Sequence, residues 1–360
     1  MFETILGNED IKDYFDRMIH KGSVAHSLLF SGPEGIGKGI FALELACKWT
    51  GADKERAFSG DHPDVKIFKP QGKMAMHPIE SIKSLTEEVY MLPFEASRKA
   101  FIVHDAEKML STSANALLKT FEEPANDTLI ILLTNNPKFL LPTIVSRCRH
   151  VRFKPIEQHL IVDWLQKNFG PQIENAKKIA LLSRGSLNEA IHIAQHGIPP
   201  YRDLVLENTK KWGTLSYQEL RDFVVKINEQ IEEIKKDYEQ EARSLIANNT
   251  PEYLNANEKA SLEKEVAAYV GAHYHAAAYE IFDLMLTWFR DINLAQLAPQ
   301  SEHFIHDDCK EELLMIAQNG DGPNLEAIFQ AIQEAELSLQ RFTPFSSVFE
   351  TFCLRCGILG

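Results

Sequence analysis

Short apolar runs recur through the first 155 positions, each separated from the next by a helical pattern. Residues 26–30, 65–68, 99–104, 129–133 and 150–153 have strand length and are bounded by turn residues. The third run is apolar enough for the centre of a parallel sheet. Between the runs, apolar positions fall at helical spacing: Ile11, Phe15 and Ile19 within 2–21, and Ile79, Ile82, Leu85 and Val89 within 74–91. Residues 40–49 and 112–121 read as further helices, the latter ended near Glu122-Glu123-Pro124. Strands alternating with helices predict an α/β domain over 1–155, with a mostly parallel five-stranded sheet covered on both faces.

The pattern changes after Pro155. Residues 158–167, 174–183 and 187–195 read as three short helices, a small helical domain over 156–198. Gly197-Ile198-Pro199-Pro200 breaks the chain and marks a boundary. Beyond it, Leu220, Val224, Ile227, Ile231, Ile234 and Tyr238 recur at spacings of four and three, a seam for helix packing. Asn248-Asn249-Thr250-Pro251 ends that run. A second long helix covers about 258–295, with Val266, Tyr269, Ile281, Leu284 and Trp288 toward a core. Helices over 311–318 and 325–339 follow, and Thr343-Pro344 restarts a last one toward Cys353. Residues 199–360 are therefore expected to be all-helical, with a packing or oligomer-contact role.

The chemistry concentrates in Ser31 to Gly39, SGPEGIGKG, between the first strand and its helix. Strand, glycine loop and helix-opening lysine form the phosphate-binding pattern. Gly32, Gly35 and Gly37 allow backbone N–H groups to converge on phosphate oxygens, and Lys38 reaches toward the terminal phosphates. The position after the lysine should supply a hydroxyl to magnesium, and here it is Gly39.

Composition narrows the class. With 44% hydrophobic and 25% charged residues in 360, the chain reads as globular and multidomain. Its formal charge of -13 argues against a protein that coats nucleic acid. Five cysteines, an odd number and mostly isolated, provide no disulfide framework. Cys353 and Cys356 have pair spacing but no second pair, so they read as core residues of a terminal helix. No signal-peptide pattern opens the chain and no apolar stretch reaches membrane-spanning length, which predicts a cytoplasmic protein with no membrane partner.

Two further motifs carry a resemblance. Asn115-Ala116-Leu117-Leu118-Lys119-Thr120-Phe121-Glu122-Glu123-Pro124 and Ser146-Arg147-Cys148, with His62-Pro63-Asp64, resemble the clamp-loader ATPases of the AAA+ class that serve bacterial DNA polymerase III. The motif-level likeness covers about residues 1–195. Beyond them it extends only in layout, with Ala335-Glu336-Leu337-Ser338-Leu339 similar to the family's last collar helix. The resemblance implies a P-loop AAA+ domain over 1–155, a lid over 156–198 and a collar over 199–360. It also implies a five-membered ring that uses ATP to place a sliding clamp on primed DNA. The implied partners are the motor subunits and the delta subunit, with clamp and DNA reached mainly through the assembly. The family's motor subunits carry a four-cysteine zinc module soon after the loop helix. The segment from Cys47 to Asp64 holds one cysteine, so no zinc is expected and the likeness points away from the motors.

Against that family, the chain departs at Gly39, at His104-Asp105 where Asp-Glu is usual, and at Asn188 where the lid has an arginine. Histidine is a poor ligand for a hard ion such as magnesium, and Asp105 without a metal lacks an electrostatic clamp. These departures predict a vestigial phosphate loop at Gly35, Gly37 and Lys38, empty or holding ATP or ADP without turnover, with no metal site. The intact Ser146-Arg147-Cys148 frame implies that Arg147 is an arginine finger for a neighbour's ATP site, with Ser146 shaping the turn and Cys148 buried. Asn135 caps a turn or senses phosphate, and Lys119, Glu122 and Glu123 either shape subunit contacts or end a solvated helix. The alternatives are an active motor-type ATPase, a purely structural scaffold, and an unrelated repair or recombination ATPase.

Overall fold

Five strands, β1 Ser27–Ser31, β2 Val65–Phe68, β3 Lys99–Val103, β4 Thr128–Thr134 and β5 Arg149–Arg152, pair in parallel in the order β2-β3-β4-β1-β5. The computed structural model describes residues 2, 5–70, 76–123, 125, 127–170, 175–249, 256–301, 303–318, 324–341 and 343–359. The predicted features at Met74, Pro124, Glu174, Thr250 and Pro251 fall outside these. Registers such as Phe30 with Leu133 and Val103 with Leu132 bring the C-terminal ends of β1, β3 and β4 to one edge. In β1, β3 and β4 every residue is buried, because helices cover both faces of a parallel sheet. The edge strand β5 instead exposes Arg149 and Arg152 around a buried Val151, and such charges discourage pairing with another chain.

Side chains alternate across β1, which assigns each helix to a face. Phe30 joins a ring cluster with Phe15 of α1 Glu9–His20, Phe41 of α2 Lys38–Thr50, and Phe153. Leu29 points to the other face. There α4 Ile79–Glu88 contributes Ile82 and Leu85, and α5 Ser111–Glu122 contributes Leu117 and Phe121. Ile79, expected on that stripe, is exposed in the first turn of α4. Two short helices complete this part, α3 Lys54–Ser59 before β2 and α6 Pro142–Val145 before β5. Three helices follow the sheet: α7 Gln158–Phe169, α8 Ala176–Leu182 and α9 Leu187–His196. All of this belongs to one compact unit, Met1–Gly197.

The second unit, Ile198–Gly360, is helical: α10 Tyr201–Thr209, α11 Tyr217–Asn249, α12 Ala256–Leu297, α13 Lys310–Gln318, α14 Leu325–Gln340 and α15 Phe345–Arg355. Its core packs Leu220, Phe223, Ile227 and Ile231 of α11 against Ile281, Phe282, Met285 and Trp288 of α12, closed by Phe345, Phe349 and Phe352 of α15. Tyr269 departs from the expected inward position. It is 36% exposed and meets Tyr238 and His273 in a ring cluster, with Tyr238 and His273 stacked 3.9 Å apart. Ile234 and Tyr238 are only half-buried, so the apolar seam of α11 thins along its length. Among the described residues no helix is long and apolar enough to cross a membrane.

Candidate functional site

The parallel registers gather the glycine loop, His104-Asp105 and Asn135 at the C-terminal edge of the sheet, where ligands bind in open α/β folds. Lys38 opens α2 and is 8% exposed. Its ammonium donates to the carbonyls of Gly32 (2.7 Å) and Pro33 (2.5 Å) and to Asn135 Oδ1 (2.9 Å). A lysine has three N–H protons, and all three have protein acceptors. Burial lowers its pKa to about 8, opposed by the charges of Glu34, Glu107 and Asp105. Glu107 also accepts from the Asn135 N–H at 3.1 Å, while its buried Oε2 has no hydrogen-bond partner among the described residues. Sequence reasoning missed Glu107, whose only signal was its position two residues beyond Asp105.

Gly35 is closed off by α9. Its carbonyl accepts from the N–H groups of Leu187 (3.0 Å) and Asn188 (3.3 Å). Such helix N-terminal N–H groups suit phosphate, and here they are used within the protein. Gly35 has φ +73°, and a Cβ there would lie 2.0 Å from Ser186 Oγ, so only glycine fits. Asn188 therefore does reach the loop, through its backbone.

Gly39 and His104 share one space. A Cβ on Gly39 would lie 2.9 Å from His104 Cε1 and 3.6 Å from Nε2. The backbone of His104 is held by its N–H on the Phe68 carbonyl (2.9 Å) and by the His77 ring on its own carbonyl (2.7 Å). Burial, then Lys69, lowers the pKa of the His104 ring, which keeps it neutral near pH 7. Asp105 adopts φ 46° and pairs with Lys108 at 3.2 Å. The residues present offer magnesium no hydroxyl at position 39 and a poor ligand in the neighbouring imidazole. The lysine is spent on its own loop, position 39 has no hydroxyl, and an imidazole stands beside it.

Arg147 takes no part in this cluster. It follows α6, whose last turn is closed by the Ser146 N–H on the Pro142 carbonyl (2.9 Å) and Ser146 Oγ on the Thr143 carbonyl (3.1 Å). Its side chain is 35% exposed, and the guanidinium donates through Nη1 to the Thr143 carbonyl (3.0 Å) and through Nη2 to Glu122 at the end of α5. Cys148 is buried among α4 and α5 side chains, and burial pushes its thiol up to about 12. Residues 146–148 thus set a hydrogen-bonded turn, anchored by the buried Cys148, from which Arg147 projects to Thr143 and Glu122.

His62-Pro63-Asp64 has an architectural role. The buried Asp64 carboxylate accepts from the N–H groups of Phe94, Glu95 and Ala96, each at 2.7 Å. Burial pushes its pKa up, but these three donors outweigh it and hold the carboxyl below its ordinary value. Cys353 is fully buried and Cys356 half-buried. Among the described residues no group of three His, Cys, Asp or Glu is placed to hold a metal ion.

The chain is similar to known proteins over its first half. A family model described as DNA polymerase III, delta subunit, matches residues 7–157. DNA polymerase III subunit delta' of Bacillus subtilis is 33% identical over 190 residues, 49% of this chain and 56% of that protein. The Pseudomonas aeruginosa protein of the same name is 30% identical over 200 residues, 52% and 61% of the two chains. The match thus spans little more than half the length of these relatives. A solved structure of a DNA polymerase III gamma subunit-related protein from Thermotoga maritima aligns with 92% of this chain and 98% of its own, at 19% identity and a TM-score of 0.41.

Proposed function

We propose that the chain is a delta-prime-type member of the bacterial DNA polymerase III clamp-loader family, to which its matches point, and that it is a non-hydrolysing, stator-like subunit that lends Arg147 to a neighbouring motor subunit. One observation carries this reading. The Lys38 ammonium is bonded to its own loop and to Asn135, and His104 stands where a side chain at position 39 would go, while the Ser146-Arg147-Cys148 frame is intact, with Arg147 exposed and Cys148 buried. A guanidinium offered from an anchored turn suits a transferring phosphoryl group, because its planar fork matches phosphate oxygens. In this reading the neighbour binds ATP and the motor and delta subunits complete the ring. The helices of 199–360 join a common collar, those of 156–198 form a lid closed on the loop, and clamp and primed DNA are met through the assembly.

A scaffold without a finger is the second reading, and the Arg147–Glu122 pair favours it, since the guanidinium already has a partner within its own chain. A motor-type ATPase is tested first. The purified chain is expected to hydrolyse no ATP with magnesium above background. Turnover that disappears in Lys38→Ala would return it to the motor class.

A further inference from the structure

We propose that Glu122 is a positioning residue for Arg147, a competing anion that holds the guanidinium back until a neighbour's triphosphate displaces it. The inference rests on Arg147 acting in trans. It adds that the finger is withheld by default, so that engagement depends on how closely the neighbour's phosphates approach.

Geometry restricts what can move. Ile144 of α6 and Cys148 are buried on one side of Arg147, and Leu117 and Phe121 of α5 are buried beneath Glu122. Packing anchors both backbones beside the pair, so the rearrangement considered is that of the two side chains. The guanidinium spends Nη2 on Glu122 and Nη1 on the Thr143 carbonyl. A carboxylate and a phosphate compete for the same guanidinium: Glu122 takes one of its five N–H donors, sets its orientation and places a negative charge where a phosphate would approach. Glu122 is also the last residue of α5, and Glu123 at the C-cap returns its N–H to Lys119 O. The carbonyl end of a helix favours a cation, which adds to the pull on Arg147.

Charge and exposure determine the balance. Arg147 is 35% and Glu122 50% exposed, so water screens their attraction. Exposed pairs of this kind shift an equilibrium by about two- to five-fold. A triphosphate carries several charges and meets the finger in a drier cleft, where attraction is stronger. It can therefore outcompete Glu122 when close, whereas at larger separation the carboxylate keeps the fork and repels phosphate.

The test measures ATP hydrolysis by the assembled loader, without and with clamp and primed DNA. Glu122→Gln removes the charge and keeps the shape. The unstimulated rate is expected to rise roughly two- to five-fold, and the stimulation ratio to fall by the same factor. Glu122→Asp keeps the charge and should stay near the wild-type rate. The double variant E122Q/R147A should show the low rate of Arg147→Ala alone, because the gain runs through the finger. A loosened fold would lower the rate, so the sign separates gating from damage. An unchanged or lowered E122Q rate beside a lowered R147A rate overturns the role of Glu122 and leaves the finger standing. So does E122D behaving like E122Q. An R147A loader with the wild-type rate overturns the finger itself.

Discussion

The ring of His104 occupies the space that a side chain on Gly39 would need: a Cβ there would fall 2.9 Å from His104 Cε1. The two positions are therefore one structural change. Gly39→Ser is expected to destabilise the chain by about 1–3 kcal/mol through overpacking. His104→Ala should remove most of that penalty, giving a coupling of at least ~0.5 kcal/mol in a double-mutant cycle. Urea unfolding of the four proteins measures it. Additive effects would mean that the imidazole and the glycine are independent.

Lys38 sets a pH dependence. Its folded pKa is about 8, against an ordinary 10.5. Below pH 8 both folded and unfolded chains carry the proton, and the cost of burying the charge is fully felt. Between about 8 and 10.5 the unfolded chain binds more protons, so this group makes stability rise with pH. Lys38→Met removes that slope. The stability of wild type relative to K38M should increase from pH 8 to pH 10, measured by denaturant titration. A constant difference would show that the ammonium is not desolvated.

Asp64 acts in the opposite range. Its carboxyl is held below the ordinary 3.8, so its contribution is present in full above about pH 4 and is lost as pH falls through the depressed value. Asp64→Asn keeps the size but removes the charge that three N–H groups share. The expected cost at neutral pH is about 1–3 kcal/mol, shrinking in acid. Thermal melts at pH 7 and pH 3 would check both the size and the sign.

Gly35 ties the loop to α9. Gly35→Ala forces a Cβ onto Ser186 and strains φ +73°, so the start of α9 must move. Amide exchange at Leu187 and Asn188, whose N–H groups bond the Gly35 carbonyl, should accelerate by at least ~10-fold, while β1 and β4 stay protected. Unchanged exchange would mean that the contact contributes nothing to the closed lid.

Much of the fold could be read from local pattern. The five strands fall within one or two residues of their apolar runs, and the Gly197-Ile198 break coincides with the division into two units. What was missed has physical causes. The six-residue α3 is polar and depends on Asp53 capping the Arg56 N–H at 2.9 Å. α10 begins directly after Pro199-Pro200, where proline suits a first turn as well as a break. The state of the site could not be read at all. Gly39 and His104 appeared as separate losses because they lie 65 positions apart and meet only through the sheet. The bonds from Lys38 back to its own loop, the seat of Glu107 beside Asn135, and the Arg147–Glu122 pair are likewise tertiary facts. Residue types name the candidates, but only packing shows which of them are already in use.

The central claim is that this chain leaves its own site idle and acts in its neighbour's. The most direct measurement is the clamp- and DNA-stimulated ATPase of the reconstituted loader carrying Lys38→Ala or Arg147→Ala in this chain alone. The account predicts a wild-type rate for K38A. For R147A it predicts loss of turnover at the adjoining site, where an arginine finger is worth about 10³–10⁵ in rate. A normal rate with R147A, or a rate that falls with K38A, would contradict it.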